Sequence, residues 1–285
     1  MNKAFLAGLL IFLNLAIYAQ GVESKKLICS YHFNNSSELK DWEIEGEGRS
    51  FIRKGKLILE PLHFQLLKKL MEDGSISKKN NVEEYQPYII KAMKQKYGKD
   101  ISRYYANVAS NEGPDNSETQ FLGGSFNIWN KKFPTAPSFS IEFDFQALYP
   151  TPLHMIMFSA WGINGSGIFD EKLPLRYGLS TELMTGQLNN YRISYFEPQR
   201  KTANLRKAPG RKLLLEGNDI VSADPRKTYH CEIRKIEDKI SYIIDGRTVF
   251  IYKDDKPLAG GYWGFRLMPC ATGAYDNIKV YNYNP

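Results

Sequence analysis

Phe139, Ile141, Phe143 and Phe145 alternate with Ser140, Glu142, Asp144 and Gln146. A period of two puts one set on each side of an extended chain, so this stretch is a strand with one face in a core. The rule recurs. Ile240, Tyr242 and Ile244 alternate, Asp245-Gly246 supplies a two-residue hairpin turn in which both residues tolerate positive φ, and Val249 and Ile251 return on the partner strand. Trp263, Phe265 and Leu267 form another apolar face, and Ile278 and Val280 mark a last strand. Many short strands without a βαβ rhythm argue for an all-β sandwich of antiparallel sheets rather than a parallel sheet.

Two stretches depart from this pattern. Lys3, the apolar run 4–17 and Ile17-Tyr18-Ala19 before Gln20 read as a signal peptide over residues 1–19, cleaved after Ala19. The run is short for a membrane span and is closely followed by charge. The mature chain is then expected at 20–285, periplasmic or extracellular, with no membrane span after signal removal. The other stretch is residues 62–110. Leu62, Leu66, Leu67 and Leu70 keep helical spacing, and Tyr85, Ile89, Met93 and Tyr97 recur every four residues. Pro87 is expected near the start of the second helix, where its missing N–H costs little. A third helix is expected over 100–108, then a polar loop over 111–124. This helical insert has too few apolar residues for its own core, so its stripe must lie on the sandwich.

The net charge of +7 is concentrated. Residues 192–212 hold seven basic side chains (Arg192, Arg200, Lys201, Arg206, Lys207, Arg211 and Lys212) against the single acid Glu197. Such a run is either a solvated face or a holder of an anionic substrate through guanidinium forks. No nucleic-acid motif accompanies it, so no nucleic-acid partner is expected. No histidines have metal-ligand spacing, and the spacing of Cys29, Cys231 and Cys270 fits no zinc motif. Neither a catalytic metal nor a cofactor is expected. Asp276-Asn277 is read as a turn, with a structural calcium site as the alternative. For the cysteines, one disulfide with a leftover thiol and three free thiols both stay open.

A series of short motifs resembles one bacterial family. In order these are Asp41-Trp42-Glu43-Ile44-Glu45-Gly46, Asn127-Ile128-Trp129, Ser140-Ile141-Glu142-Phe143-Asp144-Phe145, Phe158-Ser159-Ala160-Trp161-Gly162 and Ile168-Phe169-Asp170. Then come Tyr191-Arg192-Ile193-Ser194-Tyr195-Phe196, Asn204-Leu205-Arg206-Lys207 and Gly264-Phe265-Arg266. Their order is similar to that of the uncharacterised YesU-like family, over roughly 30–60 and 120–285. The resemblance implies a concanavalin A-like jelly-roll sandwich, interrupted here by the helical insert, and a polysaccharide-degradation context. It brings no catalytic mechanism. Where the family pattern has Gly-Asp before the Tyr-rich strand, this chain has Gly186-Gln187.

Strand alternation nominates binding residues independently. If Phe126, Ile128, Ala203, Leu205, Trp263, Phe265 and Leu267 face the core, then Asn127, Trp129, Asn204, Arg206 and Arg266 face the other way. On one concave sheet they line a groove: an aromatic platform with amides and guanidinium forks, suited to a sugar bearing a carboxylate or sulfate. Trp161, Arg192 and Lys207 join the candidate binding set. A decorated solvent face is the bland alternative. Tyr195, on a strand with cations, and His154, near the groove motifs, are the candidate proton-transfer groups, each with packing as its alternative. Glu142 and Asp144 alternate as laminarinase-type acids do, but the third position is Gln146, and an ordinary outer strand reads the same way. Three functions stay open: a carbohydrate-processing protein acting on an acidic polysaccharide, by lyase-type elimination if catalytic; a non-catalytic lectin-like module; and a structural or adhesive surface protein.

Overall fold

The computed structural model describes residues 24–79, 81–97, 125–174, 176, 178, 186, 188–221 and 226–283. The signal segment, the expected helix at 100–108, the loop at 111–124 and Gln187 lie outside them. Fifteen strands among the described residues make two antiparallel sheets. The first has the order β13 (Arg247–Lys253), β12 (Lys239–Ile244), β11 (Tyr229–Ile236), β6 (Phe139–Ala147), β15 (Gly273–Tyr283), β4 (Lys56–Pro61) and β3 (Gly48–Arg53), with β1 (Lys25–Tyr31) also on β15. The second has the order β10 (Lys212–Asn218), β9 (Thr202–Ala208), β8 (Leu188–Tyr195), β7 (His154–Gly162), β14 (Tyr262–Leu267), β5 (Phe126–Asn130) and β2 (Trp42–Gly46). This is the sandwich that the alternating patterns call for, in the jelly-roll form that the family resemblance implies.

The core lies between the sheets and is aromatic. Phe139, Ile141, Phe143 and Phe145 are fully buried, as their alternation requires. Phe143 meets Phe265 edge-on at 5.1 Å, and Phe265 meets Tyr275 at 4.5 Å between ring centroids. Each such ring contributes about 1.5–3 kcal/mol by leaving water. Asp245 (φ 48°) and Gly246 (φ 74°) form the expected tight turn, with Ile244 paired to Arg247. The return strand differs from expectation. A bulge between Tyr242 and Ile243 shifts the register, so Phe250 opposes Tyr242 in the core and Ile251 is 61% exposed. One extra residue in a strand reverses every side chain beyond it.

Between β4 and β5 lie α1 (Phe64–Glu72) and α2 (Val82–Tyr97). Leu67, Met71, Tyr85 and Ile89 pack with Ile76 against Cys270, and Tyr149 lies alongside. The buried side of α1 is Phe64, Leu67 and Met71, whereas Leu62 and Leu66 are over a third exposed. Pro87 sits in the second turn of α2 rather than at its start, so it does remove one intrahelical hydrogen bond. The side chains of Met93 and Tyr97 lie outside the described ones. Cys29, Cys231 and Cys270 are free and buried. Asp276-Asn277 forms a bulge within β15, where Asn277 donates to Asp144 at 2.8 Å. No helix among the described residues is long and apolar enough to cross a membrane.

Candidate functional site

In an antiparallel ladder, residues directly opposite each other share a face. The second sheet therefore carries a row running Arg206, Arg192, Met157, Gly264, Trp129 and Glu43 across β9, β8, β7, β14, β5 and β2. Two residues along the strands, a second row runs Ser194, Met155, Arg266, Asn127 and Glu45. Asn204 joins it on β9, its backbone N–H donating to Ser194 Oγ at 3.1 Å. The intervening Ile128, Ile193, Leu205 and Phe265 are fully buried in the core. Asn127, Trp129, Arg192, Asn204, Arg206 and Arg266 thus share the outer face of one sheet. Ser194 and Met155 belong there too, and the same period of two would have found them.

That face is not an open groove. After β7 the chain crosses back over it. Trp129 is fully buried with Met157, Ala160 and Leu188 beneath Ile168 and Leu173. Arg176 donates through Nε to Glu45 at 2.8 Å and through Nη2 to the Ile168 carbonyl at 2.6 Å, tying this roof to β2. Gly178 (φ +77°) lies so near the sheet that a Cβ would come within 2.7 Å of the Glu45 carbonyl. Trp129 is therefore no exposed platform. Asn127 is a connector, donating to Glu45 at 3.3 Å and accepting from Arg266 at 2.9 Å. Arg266 also donates to the Gly178 carbonyl at 2.5 Å and is 1% exposed. A roof of this kind is invisible to strand periodicity, because apolar outer residues and core residues read alike.

The other part of the face has partly exposed side chains: Met155, Ser194, Asn204 and Arg206. Arg206 donates to the Arg211 carbonyl at 3.1 Å. At the boundary stands Arg192, only 6% exposed. Among the described residues no carboxylate or hydrogen-bond acceptor pairs with it. Burial, and then the charges of Arg266 and Arg206, push its guanidinium down to about 9. It stays cationic at neutral pH, so the site holds a desolvated positive charge with two like charges nearby.

With the geometry established, the relationship to known proteins is specific. Residues 110–280 match the domain of unknown function DUF1961. The chain belongs to the DUF1961 family. It is 29% identical over 154 residues to the uncharacterized protein YesU of Bacillus subtilis (strain 168), spanning 50% of this chain and 70% of that one. A crystal structure of a Bacillus subtilis protein of unknown function with a galectin-like fold superposes with a TM-score of 0.65 at 22% identity, over 92% of this chain and 97% of that one. The likeness establishes the fold. In this DUF1961 member β1 to β4, α1 and α2 precede the matched residues.

The remaining candidates of this DUF1961 chain lie elsewhere. Tyr195 and His154 are fully buried between the sheets, on the opposite side of the second sheet from Arg192. His154 Nδ1 is hydrogen-bonded to the Tyr275 hydroxyl at 3.0 Å, and the Tyr195 hydroxyl donates to the same oxygen at 3.3 Å. Burial pushes the His154 imidazole down to about 3 and the Tyr195 phenol far up, so both stay neutral. Neither reaches a ligand on the outer face, which corrects their nomination for proton transfer. Lys207 leaves that face and donates to Asp254 at 2.7 Å. Trp161, beyond a bulge in β7, donates to the Gly260 carbonyl and packs edge-on against Tyr262. Glu142 and Asp144 lie on the first sheet, where Glu142 bonds Lys25 and Asp144 bonds His230 and Asn277. The basic run is divided as well. Arg200 pairs with Glu197 and Lys207 with Asp254, while Arg192 and Arg206 alone take the outer face of β8 and β9.

Proposed function

We propose that this protein binds an acidic carbohydrate on the outer face of its seven-stranded sheet, as a lectin-like module outside the cytoplasm. The observation that carries this reading is Arg192: a cation almost removed from water, without an anion among the described residues, beside Arg206 and Arg266. Keeping such a charge unpaired costs free energy that an anionic ligand returns as charge-assisted hydrogen bonds. Asn204 and Ser194 beside it supply the neutral donors and acceptors that sugar hydroxyls need. The galectin-like fold is compatible with this role but does not decide it, since a fold hosts many functions.

Elimination from a uronate is the second reading. The arginines suit it, because neutralising the carboxylate acidifies the adjacent proton. It requires a base within reach of the bound sugar, and both nominated groups sit in the core. Binding without cleavage therefore fits the geometry better.

The test is to incubate purified protein with a panel of acidic and neutral polysaccharides. Pull-down reports binding, and ultraviolet absorbance reports unsaturated products. The expected result is retention on acidic polymers, weakened by salt, without an absorbance change. Equal retention on neutral polymers would sink the proposal. Export is tested separately by terminal sequencing, with Gln20 expected as the first residue of the secreted form.

A further inference from the structure

The surroundings of Arg192 are unequal on its four sides. Across the strands toward β2, its neighbours Met157, Gly264 and Trp129 are all buried, the last beneath Ile168 and Leu173. Along β8 in one direction come Asn190 and Leu188, both fully buried, and Leu188 belongs to the same roofed cluster. Toward β9 the neighbour is Arg206, and along β8 in the other direction it is Ser194; both are partly exposed. Beyond Arg206 lies Leu213 on β10, 44% exposed. With strands about 4.8 Å apart, the covered side spans about 14 Å from β8 to β5 and the open side about 10 Å from β8 to β10. Arg192 thus stands in a corner, walled on two sides and open on two.

A polymer that lies through a site needs a trough continuing on both sides of its anchor. Here one side of the anchor is a wall, across the strands and along them alike. Resting on the acidic-carbohydrate reading above, we infer that the site takes its ligand end-on. The acid group of a terminal or branch-tip sugar meets Arg192, Ser194 and Asn204 line the open side, and the rest of the chain leaves over β9 and β10. The recognised class is then the acidic end of a glycan rather than the interior of a polyuronate. Carboxylate and sulfate share the chemistry that the guanidinium recognises.

Calorimetric titration of the full chain distinguishes these cases. The probes are glucuronate, galacturonate and mannuronate with size fractions of their homopolymers, and glucose 3-sulfate with size fractions of dextran sulfate. The two arms separate carboxylate from sulfate. The expected result is one site per chain end, an affinity per mole of chains constant within about threefold as length grows, and displacement of the polymer by its own monosaccharide. Arg192→Met should weaken that binding about tenfold or more. Arg192→Lys, which keeps the charge and loses the planar fork, should fall between. Circular dichroism confirms folding, and either variant that folds suffices. Suppose affinity climbs with length, the monosaccharide does not compete, and Arg192→Met still weakens the polymer. Then the ligand lies through the site, end-on recognition is wrong, and the acidic-carbohydrate reading survives. No binding by any probe, or binding indifferent to Arg192, overturns both.

Discussion

Arg192 on β8 and Arg206 on β9 stand directly opposite each other on the outer face of the second sheet, and among the described residues neither bonds a carboxylate. Like charges directly opposed in a ladder are destabilising, and burial of one of them adds to the cost.

Replacing Arg192 with Met should therefore raise the stability of the ligand-free protein by about 1–3 kcal/mol, because an apolar chain of similar length fills the space without the desolvated charge. Retention on acidic polysaccharide should fall in the same variant. Urea melts and pull-down measure the two effects. A variant less stable than the parent would mean that Arg192 has a structural partner.

Arg206 and Lys207 are adjacent in sequence and should separate in effect. Arg206→Ala should weaken anionic glycan binding by about 1–3 kcal/mol with little change in folding, and Arg206→Lys should recover part of the loss. Lys207→Ala strands Asp254, which is 6% exposed, although Tyr191 still donates to it. It should cost about 2 kcal/mol of stability and leave affinity unchanged. Paired melting and binding curves on the three variants decide this.

Tyr195→Phe should leave glycan binding intact, because the hydroxyl lies in the core and donates only to Tyr275. The lost hydrogen bond should cost about 1 kcal/mol. If instead binding or any ultraviolet signal from unsaturated products disappeared while the melt stayed the same, the phenol would have to reach the outer face.

One buried and one half-buried group should oppose each other in acid. His154 is held down to about 3 by burial, while in the unfolded chain it protonates near 6.5. Its contribution is intact above pH 6.5 and is lost as the pH falls toward 3. Asp219 is pushed up to about 6, chiefly by burial, and so keeps its proton where the unfolded chain has lost it. Its contribution falls as the pH rises from about 4 to 6. Each slope is about 1.4 kcal/mol per pH unit, and between pH 4 and 6 the signs oppose. The pair should nearly cancel there. Asp219→Asn should expose a stability loss on acidification across this window, and His154→Phe a gain. Urea melts in half-unit steps of pH measure both.

How far these features were legible follows from where each one is decided. A strand's faces are set by its own residues, so alternation alone placed Phe143 and Phe265 in the core and Asn127, Asn204, Arg206 and Arg266 on the opposite side. The Asp245-Gly246 turn is equally local, since backbone tolerance of positive φ belongs to the residues themselves. Which sheet a strand joins is not local: Glu142 and Asp144 carry an acid pattern, but pairing places them on the first sheet, away from the arginines. Whether an outer face meets water depends on chain that returns to it. Ile168 and Leu173 bury Trp129, so an expected platform became packing, and the bulge in β13 turned Ile251 outward. The sandwich and the two faces of its strands are written in the residues themselves, because the period of two is a property of the extended backbone. That Arg192 sits in a half-roofed corner, with no anion beside it among the described residues, emerges from the folded chain, because burial and charge pairing depend on segments far apart in the chain coming together.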